Sequence, residues 1–263
     1  MRSNFKTAKF ASAIGFSAVL VGCGGGGSTP AVIDTSVVFA SGFSSNALTS
    51  ENGKLGRYAG GPVDGWGCAD DGRSYCQGVK ENATRYYAYY AYPTAGVQTD
   101  LYSGIYIQAP NISQDDIGTA DTLTGVSAAN KTKLNFKLGQ NAEWHRGTEK
   151  NFGVMLTMST RYGANCRIKL WQVVTAAAAA DTAYSINLSD FRITQACDSG
   201  LTVAQVLANQ TVVQMDFQAN AGGARIAVTG SEARESANTS VTNDSNDGFT
   251  ATTISLVAPI NFN

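Results

Sequence analysis

The spacing of apolar residues constrains this chain more than any other feature. They alternate with polar residues over short runs, and Gly, Pro, Asn or Asp closes each run. The clearest case is 152–158, where Phe152, Val154, Leu156 and Met158 fall on one side of an extended backbone. Strands are expected at 33–40, 55–59, 84–92, 101–109, 131–138, 152–159, 167–175, 184–194, 212–218, 224–228 and 250–262. Turn signals such as Asn52-Gly53, Pro93 to Gly96, Tyr162-Gly163 and Asp247-Gly248 lie between them. A helical pattern occurs at 202–209, where Val203, Val206 and Leu207 share a face. The alanine run 176–180 has high helix propensity, but it sits inside what reads as one hairpin and is expected to form a loop or a single helical turn. So many strands with so little helix predict an all-β fold: a two-sheet antiparallel β-sandwich of jelly-roll type with one short helix.

Residues 1–22 read as an export leader. Arg2, Lys6 and Lys9 form the basic end, 10–21 an apolar run too short to span a bilayer comfortably, and small residues mark the cut. The sequence Leu20-Val21-Gly22-Cys23 resembles the lipobox of bacterial lipoproteins. That resemblance implies cleavage before Cys23, with lipid on its thiol and new amino group, and glycine at position 24 implies the outer membrane of a Gram-negative bacterium. Residues 23–31 then form a Gly-rich tether and 32–263 one domain, long enough for a sizeable core. The 19 Lys and Arg stand against 20 Asp and Glu, and loss of the basic leader makes the remainder acidic. Nucleic acid and anionic headgroups are therefore poor partners, and the membrane is engaged through the lipid anchor alone.

Five cysteines are present, and the lipobox resemblance implies that Cys23 is taken by lipid. The other four, Cys68, Cys76, Cys166 and Cys197, read as two disulfides with three possible connectivities. Sequential pairing is favoured: Cys68 and Cys76 bracket one short loop, while Cys166 and Cys197 flank a hairpin at its open end. The spacings are not those of a zinc site, and the sole histidine, His145, is distant. No cofactor is required. A structural calcium ion is the one the sequence would accommodate, on Asp64, Asp70 and Asp71 around the Cys68–Cys76 loop. Residues 243–248 begin like a calcium loop, but Ile254 stands where an EF-hand needs Glu, so a hairpin turn explains them better.

Alternation also sorts each strand into a core face and a face left over. Ile168 and Leu170 suit the core, leaving Arg167, Lys169 and Trp171 outward; Val213, Met215 and Phe217 leave Gln214, Asp216 and Gln218. In 101–109, Ser103, Ile105, Ile107 and Ala109 suit the core and leave Tyr102, Tyr106 and Gln108. The strand 84–92 carries tyrosines on both faces, Tyr86, Tyr90 and Tyr92 against Tyr87 and Tyr89, so one set is exposed, covered by a loop or lining a groove. Aromatic rings offer flat surfaces to sugar rings, and neighbouring amides and carboxylates hydrogen-bond sugar hydroxyls. Tyrosine also packs well in sheets without binding anything.

Residues 184–218 run from a strand ending in Leu188-Ser189-Asp190-Phe191, through a loop and short helix, to the strand Val213-Gln214-Met215-Asp216-Phe217-Gln218. This portion looks like the C-terminal half of galactose-binding-like jelly rolls found in carbohydrate-binding modules, and Val38 to Phe43 followed by Lys54 to Tyr58 is similar to their first strand. The resemblance implies a ligand on the concave sheet. The expected function is thus non-catalytic binding of a polysaccharide or glycan, with Tyr102, Tyr106 and Trp171 stacking and Gln108, Lys169, Gln214, Asp216 and Gln218 hydrogen-bonding. A structural or adhesive role, with the same face packed on a protein partner or a second copy, uses the same residue types. Enzymatic readings are weaker. Glu143 and Glu149 flank Trp144 and His145 but lack a defined separation, no Gly-x-Ser-x-Gly elbow accompanies His145, and disulfides would occupy the cysteines.

Overall fold

The structure, a computed structural model, describes residues 35–60, 76–93, 101–140, 151–163, 166–175, 181–221, 238–239 and 249–263, some of them near strand ends by backbone alone. In chain order the strands are β1 (Val37–Ala40), β2 (Gly53–Gly60), β3 (Cys76–Lys80), β4 (Arg85–Pro93), β5 (Leu101–Pro110), β6 (Val126–Ser127) and β7 (Lys133–Gln140). They continue with β8 (Asn151–Tyr162), β9 (Cys166–Thr175), β10 (Thr182–Asn187), β11 (Arg192–Gln195), β12 (Thr211–Ala221), β13 (Asn238–Thr239) and β14 (Phe249–Phe262). Helices α1 (Gln114–Thr119) and α2 (Val203–Asn209) lie between β5 and β6 and between β11 and β12.

A six-stranded sheet runs β10-β7-β14-β4-β3, with β1 also on β14. An eight-stranded sheet runs β11-β9-β8-β12-β5-β2, with β6 and β13 pairing on β12. The long pairings are antiparallel, as in β8 with β9 and β14 with β4. The chain is therefore an all-β, two-sheet antiparallel sandwich consistent with a jelly roll, as the alternation predicts.

The core lies between the sheets and is aromatic at its centre. Phe136 of β7 contacts Phe152 of β8 at 5.9 Å and Phe217 of β12 at 5.0 Å between ring centroids, and stacks on Tyr184 of β10 at 5.2 Å. Rings from both sheets thus meet at one point, and each such pair adds about 0.5–1.5 kcal/mol beyond the area it buries. Ile105, Ile107, Val154, Leu156, Met158, Ile168, Leu170, Val213 and Met215 extend this layer across the larger sheet and are fully buried. On β4, Tyr86 and Ala88 point into the core.

The expected strand at 184–194 is two strands in different sheets. Leu188–Asp190 forms a 3-10 turn, closed by Asn187 Nδ2 donating to Asp190 Oδ2 at 2.9 Å, and carries the chain from β10, paired with β7, to β11, paired with β9. Cys166 and Cys197 are joined, as expected, with Cα atoms 5.6 Å apart. The hairpin they were expected to close is instead β9 with β11, and the intervening β10 pairs with β7 in the opposite sheet. Helix α2 begins at the expected place, with Thr202 as N-cap in a reciprocal capping box with Gln205. Helix α1 and strands β3, β6 and β13 have no counterpart in the expected elements. The leader, Cys23, the tether, Cys68, Asp64, Asp70, Asp71, Glu143, Trp144, His145, Glu149 and the expected strand 224–228 lie outside the described residues, as does the Cys76 side chain.

Candidate functional site

The face of the eight-stranded sheet turned away from the core carries three aligned rows of side chains. One row crosses Arg192 on β11, Trp171 on β9, Met155 on β8, Asp216 on β12, Tyr106 on β5 and Gly56 on β2. The next on one side is Lys169, Thr157, Gln214 and Gln108; on the other it is Val173, Gly153, Gln218, Gly104 and Tyr58. Register thus brings together seven residues singled out by alternation: Tyr106, Gln108, Lys169, Trp171, Gln214, Asp216 and Gln218. Tyr102 occupies the following position on β5, opposite Asn220 and Gly60. Its side chain lies outside the described residues.

Three rings lie down on glycines. A Cβ added to Gly56, Gly104 or Gly153 would come closer than 3.0 Å to the ring of Tyr106, Tyr58 or Trp171 respectively. Gly56 and Gly104 form a reciprocal arrangement with their facing tyrosines, Gly56 opposite Tyr106 and Tyr58 opposite Gly104. A glycine leaves the floor on which an aromatic ring can lie flat against a neighbouring strand. Tyr58 and Tyr106 remain half-buried in this position, whereas Trp171 is only 5% exposed.

A line of polar side chains crosses the rings. Gln108 Nε2 donates to Gln114 Oε1 of α1 at 2.8 Å and to Gln214 Oε1 at 3.3 Å; Gln214 Nε2 reaches both carboxylate oxygens of Asp216 at 3.1 Å. Tyr58 OH donates to Gln218 Oε1 at 3.2 Å. Gln108 is fully buried and its Oε1 has no hydrogen-bond partner among the described residues.

Burial corrects the expectation of an open solvent face. Gln108, Asp216, Trp171 and Arg167 are all buried, and Trp171, Gln108 and Arg167 each have a local reason. The indole rests on Gly153. Helix α1 sets Gln114 against Gln108. The Arg167 guanidinium turns under α1, where it donates to the carbonyls of Ile117 (2.8 Å), Asp116 (3.3 Å), Ala120 and Ser159. Burial lowers the Arg167 pKa, with Arg161 adding to the shift and Asp121 opposing it.

Helix α1 is fixed at its other end by Ser113. Its side chain accepts from the Asp116 backbone N–H, and the Asp116 carboxylate accepts in return from the Ser113 backbone and hydroxyl at 2.9 and 2.6 Å. Those bonds, the hydroxyl first, hold the Asp116 carboxyl below the usual range. The motif Ser113-x-x-Asp116 is the sequence signal for this helix and hence for Gln114. Tyr58 is signalled by the alternation of 55–59, which sets Gly56 and Tyr58 on the side opposite Leu55.

No family model matches the chain, and no curated protein matches it in sequence. Its similarity lies in fold. Among solved structures it is similar to the family 11 carbohydrate-binding module of the cellulosomal cellulase Lic26A-Cel5E of Clostridium thermocellum, covering 79% of this chain and 86% of that one at 11% identity and a TM-score of 0.37. The likeness is weak. Among the described residues no group of three or more His, Cys, Asp or Glu is placed to hold a metal ion, and no helix is long and apolar enough to cross a membrane.

Proposed function

We propose that this domain is a non-catalytic module that binds glycan on the outer face of the eight-stranded sheet, displayed from the outer membrane by lipid on Cys23. The observation that carries this reading is the layout of that face, in which the rings of Tyr58 and Tyr106 occupy the space left open over Gly104 and Gly56 beside the line Gln108, Gln214 and Asp216. Flat rings flanked by amide and carboxylate groups suit the apolar face and the hydroxyls of a sugar. Trp171, buried on Gly153, braces the floor, and the two half-buried tyrosines supply the stacking surface. Anchoring many copies on one surface turns modest single-site affinity into useful avidity.

The test is binding of the full-length chain, in a detergent without sugar headgroups, to an array of polysaccharides. Tyr58→Ala and Tyr106→Ala are each expected to weaken the bound glycan about tenfold with the melt preserved. Retention equal to wild type in both variants would remove the site from this face, and an array with no bound glycan would overturn the reading.

A further inference from the structure

The line of amides across the face has a direction. A carboxylate only accepts hydrogen bonds, so Asp216 draws the Nε2 end of Gln214 toward itself. Gln214 Oε1 is then left facing Gln108, which answers with Nε2 and gives its other amide hydrogen to Gln114. Both hydrogens of the Gln108 amide are thereby engaged, and its Oε1 is left buried with no donor among the described residues. An acceptor in that condition is costly to keep and marks a place for a missing donor.

We propose that this face selects a neutral, hydroxyl-bearing glycan, with Gln108 Oε1 as the specificity-determining acceptor, and that it refuses a uronate or sulfated residue at the same position. The inference rests on the glycan reading above and names its ligand class. A sugar hydroxyl brings the hydrogen that Oε1 lacks. A carboxylate or sulfate brings only acceptor oxygens and sets them against an amide carbonyl beside Asp216. Of the cations on this face, Lys169 and Arg192 stand across on β9 and β11 and already have partners, while the exposed Lys54 of β2 stands toward α1, where its charge acts on the Asp116 carboxylate. Gln114, exposed at the start of α1, is the one hydrogen-bond partner of Gln108 on that side among the described residues, held to Nε2 by a 2.8 Å bond, and the proposal requires this side chain to give way to the sugar. Swinging that side chain aside moves no backbone.

The experiment pairs polymers that differ in charge: galactan with polygalacturonate, hydroxyethylcellulose with carboxymethylcellulose, and dextran with dextran sulfate. Binding of the full-length chain in a sugar-free detergent is measured at about 0.15 M salt, where exposed charges are screened beyond ~8 Å. The neutral member of a bound pair is expected to bind at least about tenfold more tightly than its anionic counterpart, and Gln108→Met to weaken that neutral binding about tenfold. Equal or tighter binding of the anionic member would overturn the inference while leaving the glycan reading intact, as would wild-type affinity in Gln108→Met. Failure of every polymer to bind would overturn both. If Gln108→Met does not fold, the wild-type pairs decide alone.

Discussion

Trp171 lies across Gly153, its diagonal neighbour on the adjoining strand, while Met155 occupies the position directly opposite. The indole is seated there because glycine has no side chain. A Cβ on Gly153 would overlap Cη2 and Cζ2, which belong to a rigid ring and can move only by lifting it from the sheet. Gly153→Ala is therefore expected to destabilise the domain by about 1–3 kcal/mol, the range for overpacking a filled site. Gly118 of α1 has nothing within 4 Å of its added Cβ, so Gly118→Ala is the control and is expected to be neutral or slightly stabilising. Urea unfolding with unchanged m-value checks both; equal stability of the Gly153 variant and wild type would show that the ring is not held there.

Among the described core residues, Tyr86 carries a polar atom whose removal should help. Tyr86 is fully buried against Phe43, with ring centroids 5.9 Å apart, and its hydroxyl has no hydrogen-bond partner among the described residues. Burial pushes its phenol up to about 12, with a smaller opposing effect of Arg57 and a small reinforcing one of Tyr106. The unfolded chain ionises this group near pH 10 and the folded one only near 12, so its contribution is complete below pH 10 and is lost as pH rises through 12. Tyr86→Phe is expected to gain about 1 kcal/mol at pH 7 and to flatten the alkaline fall in stability. Thermal melts at pH 7 and from pH 9 to 12 measure the two effects; a loss of stability at pH 7 would mean the hydroxyl is satisfied.

Much of this was legible in the sequence, because a strand buried on one side writes its period into the chain. Phe152 to Met158 and Val213 to Phe217 show the core face directly, and Gln214, Asp216 and Gln218 follow as the other face. Cross-strand register was not legible, and with it the alignment of Asp216 between Met155 and Tyr106. Alternation also distinguishes faces without saying whether a face is covered. Arg167 shows the difference: alternation sets it outward, yet it is buried because its donors satisfy carbonyls of α1, a helix with no counterpart among the expected elements. The break at Leu188 is written in the sequence as a change of parity. Tyr184, Ile186 and Leu188 keep one parity and Phe191 and Ile193 the other, a slip that the 3-10 turn takes up as it sends the chain to the other sheet.

The Cys166–Cys197 bond joins β9 to the end of β11 across a sequence separation of 31, and Gln195 Nε2 approaches Cys166 Sγ at 3.0 Å. β11 is a four-residue edge strand with few ladder bonds of its own. Closing a loop of this length restricts the unfolded chain by about 3–4 kcal/mol in the chain-entropy model. The double variant Cys166→Ala/Cys197→Ala is expected to lose that much stability, and amide exchange should accelerate first at Arg192–Gln195. Unchanged exchange there would mean that β11 is held by its packing alone.

Arg85 at the start of β4 bonds Ser255 of β14 and Asp181, the residue just ahead of β10, and so links β4 and β14 to the start of β10. Its guanidinium grips both carboxylate oxygens, with Nη1 at 2.7 Å from Oδ1, and also contacts Ser255 Oγ at 2.9 Å and Glu81 at 3.0 Å. The hydrogen bond from Arg85 holds the Asp181 carboxyl below its usual range, against a smaller effect of burial. A depressed carboxyl stabilises the folded state above the unfolded pKa of about 3.9, and that contribution disappears as pH falls through the lower, folded value. The pair is 27% and 42% exposed at its two side chains, so solvent screening keeps its contribution below about 1 kcal/mol. Asp181 has φ of 57°, a conformation asparagine tolerates as well as aspartate, which makes Asp181→Asn a test of charge with little backbone effect. The difference in unfolding free energy between wild type and Asp181→Asn should be constant from pH 7 to about 5 and shrink toward zero below pH 4. A difference that persists at pH 2 would assign the effect to packing rather than to the carboxylate.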